Sequence, residues 1–142
     1  MPDLVEALKD PDSGVTSSAV AALASMKDNL ERPHVDGIAQ LLQDKSKRVE
    51  TRRVAAEALG MLGEKSKDFI GALSETAKDK DQTLAMTSIV ALAHLGRTAQ
   101  PALPTLQALK EHRDPGVREA VNQAIDEIRG IRAKKADTDR GQ

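Results

Sequence analysis

Four stretches of the chain carry apolar or small residues at the same offsets from a β-branched or aliphatic opener. The openers are Val15, Thr51, Leu84 and Val117, which stand 36, 33 and 33 residues apart. From each opener such residues follow at +4, +7, +8 and +11: Ala19, Ala22, Leu23 and Met26; Ala55, Ala58, Leu59 and Leu62; Ser88, Ala91, Leu92 and Leu95; Val121, Ala124, Ile125 and Ile128. These offsets trace one stripe on a helix of 3.6 residues per turn and fit no strand. A shorter amphipathic segment precedes each: Leu4-Val5-Glu6-Ala7-Leu8, Ile38 to Leu42, Ile70 to Ala77, and Leu103 to Leu109. The pattern predicts four pairs of helices, one short and one longer.

The punctuation agrees. Asp10-Pro11-Asp12-Ser13-Gly14 and Asp114-Pro115-Gly116 are turn sequences. Asp12 or Ser13, and likewise Asp114, suit the capping position, where a side-chain oxygen accepts from free helix amides. Pro115 then falls on the first helical residue, where no donor is needed. Gly63 and Gly96 sit just past the last stripe position, where helices often end left-handed. Pro33, Pro101 and Pro104 lie at or near the starts of shorter helices. In the second pair, two extra residues between Asp44 and Thr51 imply either a longer turn or a helix begun early at Ser46.

One helical pair cannot bury its own apolar face, so tandem pairs stack and share a core. The expected architecture is all-α, an α-solenoid of about four helical hairpins over residues 1–132, with approximate repeats 2–27, 34–63, 66–96 and 101–130. Residues 133–142 read as a polar, disordered tail.

The strings Leu4-Val5-Glu6-Ala7-Leu8-Lys9-Asp10-Pro11-Asp12 and Arg52-Arg53-Val54-Ala55-Ala56-Glu57-Ala58-Leu59-Gly60-Met61-Leu62-Gly63 closely resemble HEAT repeats. They are most similar to the short bacterial and archaeal type found in phycobilisome-lyase-like proteins. The resemblance spans about residues 2–130 and implies a scaffold or adaptor, so binding and not a reaction. It also implies an Arg just after each second-helix opener, commonly paired with an Asp of the inter-helix turn. Arg52 and Arg118 match that position, whereas Thr16 and Ala85 depart from it.

Composition narrows the chemistry. Among 142 residues, 21 Lys+Arg stand against 22 Asp+Glu, a formal net charge of −1, without the positive excess usual in a polyanion-binding domain. No cysteine is present, which removes disulfides, zinc-thiolate sites and thiol nucleophiles. Phe69 is the sole aromatic residue, which removes base-stacking platforms and aromatic cages. His34, His94 and His112 lack the spacing of a metal motif and read as surface histidines. No Ser–His–Asp grouping or phosphate-cradling glycine loop can be assembled. The expectation is therefore no catalysis and no cofactor.

The densest charge cluster is Lys45, Lys47, Arg48, Arg52 and Arg53, either a solvated turn or an anchor for an acidic partner or phosphates. In HEAT solenoids the second helices line the concave face, and offsets +2, +6 and +10 point away from the stripe. Those positions are Ser17, Ala21 and Ser25; Arg53, Glu57 and Met61; Met86, Val90 and His94; Glu119, Gln123 and Glu127. The candidate protein-binding surface is accordingly Arg52, Arg53, Glu57, Met61, Met86, Val90, His94, Glu119 and Gln123, centred on the semi-apolar group Met61, Met86 and Val90. Alternatively, Met86 and Val90 pack between neighbouring repeats. Met26, on the stripe, is expected in the core.

The functional expectation is an adaptor that binds a protein partner, with no specific nucleic acid and no membrane. The alternatives are a lyase-type helper for a chromophore-carrying protein, or a piece of a longer solenoid. No export signal is visible, which suggests a cytoplasmic setting. With no polar capping repeat at the start, Val5 and Leu8 are expected to be partly exposed or paired with another copy, giving a monomer or weak homodimer.

Overall fold

The computed structural model describes residues 2–131. The expected tail 133–142 and residue 132 lie outside the described residues. Eight α-helices follow in order: α1 (Pro2–Ala7), α2 (Ser13–Ser25), α3 (Arg32–Gln43), α4 (Val49–Met61), α5 (Ile70–Ala77), α6 (Gln82–Leu95), α7 (Leu103–Leu109) and α8 (Pro115–Arg129). Among the described residues there is no strand. The helices pair as hairpins α1–α2, α3–α4, α5–α6 and α7–α8, and α2, α4, α6 and α8 pack on one another in series. This is the all-α solenoid of four hairpins.

The stripe supplies the core. Leu23, Leu59, Leu92 and Ile128 are wholly buried, as are Ile38, Leu42, Leu73 and Leu106 from the first helices. Each such side chain contributes about 1.5–3 kcal/mol on leaving water. Met26 is a correction: it caps the end of α2 and is only half-buried. Leu8 is another, because it is 4% exposed and packs toward Gly37 of α3. A Cβ on Gly37 would stand 2.8 Å from Leu8 Cδ1, so the glycine makes room for it.

The row of second helices is the tighter one. Gly60 of α4 faces Ala91 of α6 so closely that a Cβ at Gly60 would lie 2.9 Å from the Cα and Cβ of Ala91. The first helices meet more sparingly: α3 touches α5, and α5 meets the 3₁₀ segment that precedes α7. Contact along the stack thus runs mainly through the second helices.

The turns repeat a hydrogen-bond scheme. Asp10, Asp44 and Asp79 each accept from the backbone N–H two residues on, at 2.8, 2.9 and 2.8 Å. In the fourth hairpin His112 Nδ1 takes that role, accepting from Asp114 N at 3.0 Å. Asp12, Asp81 and Asp114 then cap α2, α6 and α8 by accepting from Val15, Leu84 and Val117 N–H groups. The Val117 amide holds the Asp114 carboxyl below its ordinary range. The second hairpin takes the longer-turn alternative: α4 starts at Val49, its cap residue Arg48 makes no side-chain cap, and Ser46 instead donates to Asp44 at 2.6 Å. That hydroxyl lowers the Asp44 carboxyl in turn.

The links between hairpins are not open loops. They are 3₁₀ segments at Lys27–Asn29, Gly63–Phe69 and Gly96–Ala102. Gly63 and Gly96 have φ of 57° and 55°, as a reversal after a helix requires. Ser66 is buried and donates to Leu59 O at 2.6 Å, tying the second link back onto α4.

Two substitutions probe the seam. Gly60→Val forces α4 away from α6 and should cost about 1–3 kcal/mol or more, read as a lowered urea midpoint. Thr51 Oγ1 is buried without a hydrogen-bond partner. Thr51→Val keeps the shape, removes that unmet hydroxyl, and should raise stability by about 1 kcal/mol in the same assay.

Candidate functional site

Helical geometry sorts the expected site residues. A step of 100° per residue puts offsets +2, +6 and +10 of each second helix on the side opposite the first helices. Glu57, Met61, Val90, His94, Glu119 and Gln123 are all exposed there, with Met61 at 54% and Val90 at 43%. Arg53 is half-buried, and its Nη1 lies 3.5 Å from Glu57 Oε2 one turn on. Met86 is half-buried against the core, so of the two alternatives it follows the packing one while Val90 stays in solvent.

These residues converge in two neighbouring grooves. One, of about 300 Å³ between α4 and α6, is lined by Glu57, Met61, Met86, Thr87, Val90, Ala91 and His94. The other, of about 490 Å³ between α6 and α8, is lined by Val90, Ala93, His94, Ala120, Gln123 and Glu127. Val90 and His94 form the ridge shared by both. Arg53 and Glu119 line neither groove; Arg53 borders a separate one with Arg48, Val49, Glu50, Asp81 and Thr83. The floor of the first groove is methyl and thioether, adaptable to an aliphatic side chain, and its rim is polar.

Arg52 does not belong to this face. Its offset of +1 turns the side chain toward α3, where it is 6% exposed and donates from Nε to Leu42 O at 2.9 Å. Asp79 Oδ2 lies 3.8 Å from its Nη1. The equivalent residues fasten the same joint differently. Arg118 donates to His112 O and Arg113 O at 2.7 and 3.0 Å, and Thr16 Oγ1 donates to Asp10 O at 2.9 Å. In three of the four hairpins the position therefore pins the second helix to carbonyls at or just beyond the end of the first helix. Arg52 with Asp79 of the next inter-helix turn also makes one rung of an Asp–Arg ladder, which Thr16 and Ala85 interrupt, and Ala85 leaves the third joint without the clasp. The basic cluster is divided as a result, with Arg52 buried, Arg53 on the inner face, and Arg48 3.8 Å from Glu50.

The histidines also part company. His34 is 8% exposed and accepts from Glu31 N at 2.9 Å, closing the start of α3; it is not a surface residue. His112 serves the turn already described, which leaves His94 as the exposed one. Capping by histidine at these spacings gives no signal that sequence spacing alone could isolate. Among the described residues, no group of three His, Cys, Asp or Glu is arranged to hold a metal. No helix there is long and apolar enough to cross a membrane.

No family model matches the sequence, and no curated protein matches it. Solved structures do share the fold. The complex of CpcE and CpcF of phycocyanin lyase from Nostoc sp. PCC7120 superposes with a TM-score of 0.72 at 20% identity, over 87% of this chain and 79% of that one. A designed armadillo repeat protein in complex with the peptide (KR)4 gives 0.70 at 19% identity, over 88% and 62%. An engineered protein gives 0.65 at 20% identity, over 89% and 61%. The chain thus spans about three-fifths of each of the latter two. The fold is that of the HEAT- and armadillo-type helical-repeat solenoids.

The contrast between adjacent arginines is measurable. Arg52→Ala removes a buried, charge-assisted hydrogen bond and should cost about 1.5–3 kcal/mol, whereas Arg53→Ala, at the surface, should stay within about 0.5 kcal/mol of the native chain in thermal or urea melts.

Proposed function

We propose that this chain is a non-catalytic adaptor whose inner, second-helix face holds a segment of a protein partner. The observation that carries the reading is the exposure of Met61 and Val90 on either side of the α4–α6 groove, with Met86 as its floor. Large apolar side chains at positions with no packing duty are what a docking surface supplies. Glu57, His94 and Gln123 frame the patch and set its polarity, with Arg53 and Glu119 farther along the same face. Arg52 contributes by holding α4 in place and not by contact. The designed armadillo protein in complex with a peptide supports the reading by analogy, because a solenoid of this kind can present such a face.

The test is a pulldown with Met61→Glu/Val90→Glu. Both side chains are exposed, so the variant should keep the native helical circular dichroism. Recovery of the partner should fall at least about tenfold, which corresponds to roughly 1.4 kcal/mol. Undiminished recovery by a folded double variant rejects the face. The likeness to the phycocyanin lyase complex favours a second reading, in which the same face serves a chromophore-carrying protein. That reading requires an absorbance shift when a bilin is added, and it is rejected when none occurs.

A further inference from the structure

Two residues on the side of the first helices are not fully explained by the fold. Gly71 stands in the first turn of α5, where glycine weakens a helix relative to alanine. Gly37 and Gly60 are demanded by close neighbours, and Gly63 and Gly96 by positive φ. Gly71 has neither reason: its φ is not positive, and a Cβ there would meet no atom within 4 Å. Arg52 is the other. It is 6% exposed and gives Nε to Leu42 O, yet among the described residues neither Nη makes a hydrogen bond. The one carboxylate near it, Asp79, stays 3.8 Å from Nη1, and the Nη groups are not sealed from solvent.

Both residues line one groove. Its volume is about 700 Å³, more than either groove of the second-helix face, and it runs between the end of α3 and α5, beside two inter-helix turns. Phe69 and Ala72 give it an apolar side. The Phe69 ring is held in place: Arg32 lies over it at 5.3 Å and is itself tied to Asp36 and Asp68 at 2.8 and 2.6 Å. Lys45, Lys78 and Lys80 stand at the turns. The carboxylates of the groove are all engaged. Asp68 is taken by Arg32, Glu75 by Lys78 at 3.0 Å, and Asp79 accepts from Asp81 N at 2.8 Å. Lys45 and Lys80 have no carboxylate within 4 Å among the described residues. Positive charge is therefore in surplus around an apolar wall.

We propose that this groove binds a small carboxylic acid with a hydrocarbon body. The carboxylate meets the free edge of Arg52, with Lys45 and Lys80 at the rim, and the body lies on Phe69 and Ala72 in the space that Gly71 leaves open. The volume is that of a small-molecule site. A guanidinium carries paired donors in one plane, which match the two oxygens of a carboxylate. Because Leu42 O already pins Arg52, ordering it on binding costs little. The groove shares no residue with the Met61 and Val90 patch, and the proposal stands apart from the adaptor reading.

The experiment titrates the full, isotope-labelled chain with hexanoate, hexanol, inorganic phosphate and the peptide acetyl-Gly-Gly-Leu, following amide resonances by NMR. Hexanoate should shift the Gly71 and Ala72 amides and the Arg52 Nε–H saturably, whereas hexanol and phosphate should not saturate over the same range. Arg52 is left intact, since its loss loosens the joint, and its Nε–H resonance reports on it directly. Gly71→Leu fills the groove, meets no neighbour at its Cβ and favours the helix, so the variant stays folded while hexanoate affinity falls at least about tenfold. Lys45→Gln/Lys80→Gln, both at exposed positions, should weaken binding several-fold with an unchanged melt. Absence of saturable shifts overturns the proposal, and so do shifts that survive Gly71→Leu. Phosphate binding as tightly as hexanoate overturns it in favour of a plain cationic surface. The peptide binding more tightly than hexanoate overturns it in favour of a chain terminus.

Discussion

Close contact along one row of helices governs this molecule. Gly60 and Ala91 approach within a distance that no Cβ on Gly60 could tolerate. Nearby positions on α4, Ala55, Ala56 and Ala58, and Ala124 on α8 are correspondingly small and buried. Small residues here serve two ends. They keep helix propensity high, and they let backbones come near enough for the larger Leu and Ile side chains to interlock. The opposite row of first helices packs more loosely, so the second helices carry most of the contact along the stack.

That constraint leaves each hairpin with a second problem, the carbonyls and amides at its sharp turn. The chain solves it four times with different side chains. Aspartate or histidine closes the turn, aspartate caps the next helix in three hairpins, and arginine or threonine at offset +1 reaches back to the end of the first helix. The role is fixed by geometry while the residue varies. Thr16 and Arg52 differ in size and charge, yet both deliver a donor to the same carbonyl region. A polar group in such a joint stabilises chiefly because leaving the carbonyl unmet would cost more.

The repeat and its register could be read from the chain, because offsets +4, +7, +8 and +11 must be small or aliphatic and offsets +2, +6 and +10 need not be. Helix boundaries followed from aspartate caps and from the two glycines with positive φ. Other features lay beyond pattern. The 3₁₀ links look polar in sequence, yet Ser66, Ala99 and Ala102 are buried in them by tertiary contacts. Leu8 is covered because Gly37, 29 residues away, lacks a side chain. Arg52 is the instructive case. Its charge and its basic neighbours suggested the surface, but the same 100° step that identified Met61 already pointed Arg52 toward α3. Composition obscured what periodicity stated.

The freedom of the outward offsets explains why function in such a fold takes the form of a surface. Positions +2, +6 and +10 read Ser, Ala and Ser in the first hairpin, then Arg, Glu and Met, then Met, Val and His, then Glu, Gln and Glu. Met86 rests against the core, but packing asks little of the others, so their character can answer to a partner. Polar or charged side chains there would keep the molecule soluble at no cost to the seams. Two large apolar groups are nonetheless kept in water at adjacent helices, Met61 and Val90, beside the Gly60–Ala91 contact. Under the adaptor proposal, close backing by packed helices would limit the ordering entropy that docking costs, which suits a shallow groove without an aromatic anchor.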